Sequence, residues 1–336
     1  MKHYFSKPRL SILVVALVLF LVFVGGCNDS NSQTQVPTDR WDIFAETEDS
    51  KTQFSNGALP VVVPRKVTGD LRIAGSSTAE PLILFAAERF RALGYEGTIT
   101  IESPGSLGAL RGWQEGEDYD LVFVSVPVDA GIDAVILPLV QDALGVAVPR
   151  SNTFVQDLSL DSLALLFSTA RTWNQVESTW PELRVTKMSP GPDSGTYQRF
   201  AQTVFGGESR LLHSPFVQMS EDDSILVRGI AQGAGTVGYL GYSYLKDRQE
   251  ELRLLSIDGV SISPETIENG EYPLNRTLSV IVDRRTLAAN PAALGFLSYL
   301  LSVGTEDLED LGFFSLSSTD RAFAETTLRE LYRGIP

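Results

Sequence analysis

Residues 71–93 read LRIAGSSTAEPLILFAAERFRAL, and the order of their parts sets the fold class. Leu71-Arg72-Ile73-Ala74 is a short, mostly apolar strand. Gly75, Ser76, Ser77 and Thr78 follow as a small, hydroxyl-rich loop. From Pro81 to Leu93, Leu82, Phe85, Ala86, Phe90 and Leu93 recur at helical spacing, and Gly94 suits the left-handed stop after a helix. A strand, a tight loop and a helix in that order form the unit of an α/β fold.

The same alternation continues outward. Thr98 to Ile101 is a second strand. Leu121 to Val126 is a third, and its nearly continuous apolar character predicts helices on both faces. Ala134 to Val148, Leu183 to Lys187, Leu254 to Ile257 and Leu278 to Val282 also read as strands. Ser159 caps a helix that runs through Phe167. Ser194 to Phe205 is a helix closed by Gly206-Gly207, and Asp223 to Ala231 is another. Pro291 to Leu301, Glu306 to Leu311 and Arg321 to Tyr332 complete the helices. No internal repeat is present. The expected class is α/β.

The N-terminus decides the compartment. Lys2, Lys7 and Arg9 precede an apolar run from Ile12 to Val24, which is 13 residues long. A spanning helix needs about 20. A short apolar core behind positive charge reads as a secretory signal, over residues 1–26. Val24-Gly25-Gly26-Cys27 is like a bacterial lipobox, in which Cys27 is lipidated. The competing reading is an uncleaved anchor helix. Both place the rest of the chain outside the cytoplasm, tethered to a membrane. Residues 27–68 are polar and acidic and read as a flexible tether. Trp41, Phe44 and Phe54 are unusual there, and leave docking on the domain open.

Cys27 is the only cysteine, so no intramolecular disulfide and no Cys₂His₂ metal site is available. The formal charge is −15, and loss of the three N-terminal cations takes it to −18. That balance argues against nucleic acid, which needs clustered Lys and Arg. It decides little about a small anion. Backbone N–H groups at helix starts act within a few ångströms, whereas surface charge is screened over about 8 Å.

Three places join a strand end, small hydroxyl residues and a helix start. They are Ala74 to Thr78, Ser103 to Gly108, and Gly191 to Thr196. Each offers N–H groups, a positive dipole end and hydroxyl donors. One such segment alone is most simply a helix cap. Three, split between two αβ halves, converge better on one anion held in a cleft. Catalysis is poorly supported. His3 lies in the leader, so a Ser-His-Asp triad would need His213, and Asp193-Ser194-Gly195-Thr196 is not a Gly-x-Ser-x-Gly elbow. Glu221-Asp222-Asp223 opens a helix and reads as a cap, without Ca²⁺-loop spacing. No catalytic residue, metal site or cofactor is expected.

Taken together, Thr172-Trp173-Asn174-Gln175-Val176, Gly191 to Tyr197, Ser220-Glu221-Asp222-Asp223, Gly238 to Tyr242, Ile257 to Val260 and Leu274-Asn275-Arg276-Thr277-Leu278 form an ordered series. This series resembles the phosphate-binding subunit of bacterial phosphate ABC transporters, a type II periplasmic-binding-protein family. The likeness runs from Gly69 to the C-terminus. It implies a binding domain over 69–336 with two α/β lobes, one over 69–144 plus 284–336 and one over 145–283. The linking strands would be Gly145–Val148 and Leu278–Val282. It implies capture of inorganic phosphate or a related small anion by a monomer in the periplasm or at the cell surface. Delivery would be to an inner-membrane ABC permease. By position, Ser76, Ser77, Thr78, Ser106 and Ser125 of lobe one, with Ser194, Gly195 and Thr196 of lobe two, would hold the ligand.

Two departures stand out. Where the family commonly has Asp or Arg after Ser125, this chain has Val126-Pro127. Where some members have Arg before the third loop, Pro190 stands. Neither the usual guanidinium clamp nor the carboxylate that accepts a phosphate proton is visible. Arg111, Arg199 and Asp193 are the nearest candidate charge partners. The alternatives are a divergent member that binds another anion or acts as a sensor or scaffold, and, from a different class, an extracellular hydrolase.

Overall fold

The computed structural model describes residues 43–44, 61–128, 134–208 and 217–334. All belong to one compact unit, Asp39–Pro336. The expected signal segment, Cys27, Trp41, Phe54 and His213 lie outside the described residues.

The 71–93 unit folds as its pattern dictates. Strand β1 (Leu71–Gly75) leads through a 3₁₀ turn at Ser77–Ala79 into helix α1 (Glu80–Ala92). Leu82, Ile83, Ala86, Ala87 and Phe90 of α1 are buried. Strand β2 (Ile99–Glu102) pairs parallel with one edge of β1, and β3 (Leu121–Val124) with the other. Helix α2 (Ser106–Glu115) connects β2 to β3. It covers the sheet face opposite α1, where Ala109 packs with Val122, Val124 and Ile281. A strand covered on both faces has no polar side, which explains the unbroken Leu121–Val124 run.

Two long strands then join the halves. β4 (Val135–Pro149) and β11 (Asn275–Val282) pair antiparallel from Val135↔Val282 to Ala143↔Asn275. From Leu144 onward β4 changes partners to β8 (Thr236–Gly241), and at its end to β9 (Leu252–Leu254). β8 pairs parallel with β6 (Thr186–Pro190), which pairs parallel with β7 (Val217–Ser220). The order β2-β1-β3-β11-β4-β8-β6-β7 thus runs as one curled sheet across two lobes. A small two-stranded sheet, β5 (Asp157–Leu158) with β10 (Ser256–Ile257), lies beside the second lobe's core.

Each lobe has its own core. The first gathers β1, β3, β11, α1 and the C-terminal helices. The second centres on Trp173, Tyr197, Phe200 and Tyr239. Helix α3 (Leu160–Ser168), capped by the Ser159 hydroxyl, and α4 (Gly195–Phe205) pack on the second lobe. So do α5 (Asp223–Ala231) and α6 (Pro264–Glu268). Helices α7 (Arg284–Ala289), α8 (Pro291–Leu300), α9 (Thr305–Leu311) and α10 (Ser318–Gly334) return to the first.

Two boundaries differ from expectation. β11 pairs with β3 as well as β4, so residues 275–282 belong to the first lobe's sheet rather than the second. The body also begins earlier than residue 69. Val62 and Val67 are buried in the first core, and Phe44 bridges Val62 and stacks edge-on against Tyr332 at 5.2 Å. Burial of a phenylalanine is worth roughly 1.5–3 kcal/mol, enough to hold part of an otherwise polar segment on the domain. Small shifts also occur at strand ends. The Leu183–Lys187 reading becomes Thr186–Pro190, because β-pairing to β8 begins only at Thr186. Among the described residues no helix is long and apolar enough to cross a membrane.

Candidate functional site

The three hydroxyl-rich loops meet, joined by a fourth segment at the end of β3. Ser76 follows β1, Ser106 opens α2, Ser125 follows β3, and Ser194 caps α4 after β6. Each site is a strand end running into a turn or helix, which is why small polar residues stand there. Ser76, Thr78, Ser106, Ser125, Ser194 and Thr196 are all nearly fully buried. Burial of six hydroxyls is costly unless each is hydrogen-bonded.

They bond largely to one another. Ser76 Oγ lies 3.0 Å from Ser125 Oγ, and Ser106 Oγ lies 3.1 Å from the same atom. The Ser125 N–H donates to Ser106 Oγ at 3.0 Å. Thr78 Oγ1 and Thr196 Oγ1, from opposite lobes, are 3.0 Å apart. Ser194 Oγ accepts from the Thr196 N–H at 3.1 Å. Gly195 closes the contact between lobes. A Cβ there would fall 2.1 Å from Ser125 Oγ and 2.6 Å from Ser106 Oγ, so only glycine fits. A Cβ on Gly105, whose φ is +82°, would likewise fall 2.6 Å from the Asp193 carbonyl oxygen.

Of the expected residues, Ser77 is placed differently. Its hydroxyl bonds the Asp223 carboxylate, and its carbonyl accepts from Tyr244 Oη at 2.8 Å. It therefore faces a separate cavity of about 680 Å³ lined by Glu80, Glu221, Asp222 and Asp223. That cavity is acidic and disfavours an anion. Asp222 caps α5 by accepting from the Ser224 N–H at 2.8 Å, as the acid run suggested. Burial pushes the Asp223 carboxyl up to about 6, against the opposing pull of Ser77 and Arg276. Arg111 and Asp193 form an exposed ion pair with each other at 3.2 Å across the lobes.

The cations at the hydroxyl cluster are Arg199 and Arg276. Arg199 lies on α4, one turn after Thr196, as the spacing suggested. Arg276, on β11, is the residue that sequence reasoning missed. Its Nε and Nη2 each lie 2.8 Å from Asp142 Oδ2 on β4, and Nη2 donates to Thr78 Oγ1 at 2.9 Å. A signal existed: Asp142 and Arg276 are the only charged residues of β4 and β11. Arg276 Nη1 and Arg199 Nε are buried with no hydrogen-bond partner among the described residues. Burial, and secondarily the charge of Arg276, push the Arg199 guanidinium down. Asp142 balances the charge of Arg276, but two orphaned guanidinium donors beside a cluster of hydroxyls still call for an anionic acceptor. Arg199, Arg276 and Ser125 together line a cavity of about 340 Å³.

Known proteins share this arrangement of chain. The protein SphX of Synechocystis is 29% identical over 79% of this chain and 86% of its own length. The phosphate-binding protein PstS of Staphylococcus saprophyticus is 26% identical over the same shares. The crystal structure of a possible phosphate binding protein from Planctomyces limnophilus superposes with a TM-score of 0.59. It is 26% identical over 79% of this chain and 99% of that one. An ABC-type phosphate transport receptor from Vibrio cholerae shares the fold, with a TM-score of 0.60, 16% identity, and coverage of 74% and 100%. A model described as a PBP superfamily domain matches residues 50–303, most of the chain, and the chain belongs to the PBP superfamily.

Proposed function

We propose that this protein captures inorganic phosphate outside the cytoplasm and delivers it to an ABC permease, acting as a binding protein and not as an enzyme. The observation that carries the reading is the pair of buried, unpartnered guanidinium donors on Arg199 and Arg276 beside six buried hydroxyls from both lobes. In each hydroxyl–hydroxyl bond, one oxygen must accept. An oxyanion accepts from all of them, and charge-assisted bonds are roughly twice as strong as neutral ones. Phosphate would therefore replace the hydroxyl–hydroxyl bonds, and the two lobes would close on it from the β4 and β11 crossing. Ser76, Thr78, Ser106, Ser125, Ser194, Gly195 and Thr196 form the proposed site, with Arg199 and Arg276 supplying the charge that Val126 and Pro190 lack. The relatives named for phosphate support the ligand class.

The N-terminal signal would direct export, and lipidated Cys27 would then hold the domain at the membrane, near the permease. Calorimetric titration of the purified full chain with phosphate, sulfate and arsenate tests the reading. Saturable phosphate binding that is lost in Arg276→Gln is expected. Absence of heat with every oxyanion would overturn it.

A further inference from the structure

We infer that the site also takes phosphate monoesters with a small organic group, an inference that rests on the anion reading above. The cavity beside the proposed anion site is about 340 Å³. A tetrahedral oxyanion has five heavy atoms and fills roughly two or three water volumes, on the order of 60–90 Å³. Most of the cavity therefore lies beyond the phosphate, and its total size falls within the usual range of organic ligand pockets.

The lining is chemically mixed. Ser125, Arg199 and Arg276 contribute a hydroxyl and two guanidinium groups. Val126, Val128 and Ile136 contribute apolar surface, while Gln141, Asn275 and Thr277 supply amides and a hydroxyl on β4 and β11. An inorganic ion has nothing to offer such walls. A two- or three-carbon substituent with hydroxyl groups does, covering the valines and bonding the amides. A monoester keeps three terminal oxygens and two ionisable positions for the guanidinium donors. A diester keeps two terminal oxygens and a single charge, so it satisfies fewer of them. The acidic cavity on the far side of Ser77 is closed to such ligands by its charge.

The test is a calorimetric series on the full chain with phosphate, methyl phosphate, glycerol 3-phosphate, dimethyl phosphate and glycerol. Both monoesters are expected to bind within about tenfold of phosphate, dimethyl phosphate at least a hundredfold more weakly, and glycerol not at all. Val126→Phe and, independently, Val128→Trp should weaken glycerol 3-phosphate tenfold or more while leaving phosphate unchanged. Phosphate binding without monoester binding would overturn this inference and leave the anion reading intact. Failure of every phosphate compound would overturn both. Equal loss of phosphate and ester in a folded cavity variant would show that the ester does not use this cavity, and would also overturn it.

Discussion

Thr78 Oγ1 and Thr196 Oγ1 lie 3.0 Å apart although 118 residues separate them in the chain. One follows β1 in the first lobe and the other lies in α4 of the second. Arg276 Nη2 reaches the same Thr78 oxygen at 2.9 Å from β11, a strand that joins the lobes. The crossing strands, both lobes and the proposed ligand site therefore meet at one hydroxyl.

Removing that hydroxyl should cost ligand affinity, and about 1–3 kcal/mol of stability for the buried partners it leaves behind. A hydrogen bond to a charged group contributes about 1.5–3 kcal/mol, or roughly ten- to 150-fold in affinity. Thr78→Val and Thr196→Val should each weaken phosphate binding within that range. Titration alongside thermal melting checks this, and an unchanged affinity in either variant would exclude its hydroxyl from the site.

Gly195→Ala should separate closure from folding. Its methyl group would lie 2.1 Å from Ser125 Oγ, a distance no packed pair adopts. The variant is expected to keep its secondary structure by circular dichroism, bind phosphate at least tenfold more weakly, and remain expanded in small-angle scattering when phosphate is added.

The Asp142–Arg276 pair should be costly to break on one side. Its side chains are nearly inaccessible, at 0% and 3% exposure. Loss of one partner of a buried pair leaves an uncompensated charge, at about 3–5 kcal/mol. Arg276→Met should lose stability of that order in urea unfolding, and Arg276→Met with Asp142→Leu should regain most of it. By contrast, the half-exposed Arg111–Asp193 pair should contribute at most about 1 kcal/mol, so Asp193→Asn should be nearly neutral.

Stability should fall with rising pH between about 4 and 6 on account of Asp223. Its folded carboxyl titrates at about 6, above the usual 3.8. In that window the native state binds the proton more tightly than the unfolded state, so the contribution is full at low pH and declines through the window. The shift corresponds to a loss on the order of 3 kcal/mol, complete above pH 6. Asp223→Asn should flatten this part of the pH profile. A profile of the same slope in the variant would assign the effect to other carboxylates.

The sequence by itself determined the α/β alternation, the helix starts at Ser159, Ser194 and Asp223, and the three hydroxyl loops. Those features are local: periodicity, caps and strand-end turns act over a few residues, and each is written in neighbouring positions. Phe44 shows the limit of that reading. In sequence it lies within a polar stretch, and only its packing against Tyr332 shows that it docks on the core. Arg276 shows the limit at the site. Nothing nearby in the chain pairs it, because its partner Asp142 stands 134 residues earlier on the antiparallel neighbour. The tertiary structure decided that β4 and β11 lie side by side, and that pairing buries one charge against the other. The same pairing places the remaining guanidinium donor beside hydroxyls from both lobes. Ser77 was separated from Ser76 for a related reason: adjacent residues in a tight turn point apart, and only the packing of α5 and Tyr244 determines which cavity each one meets.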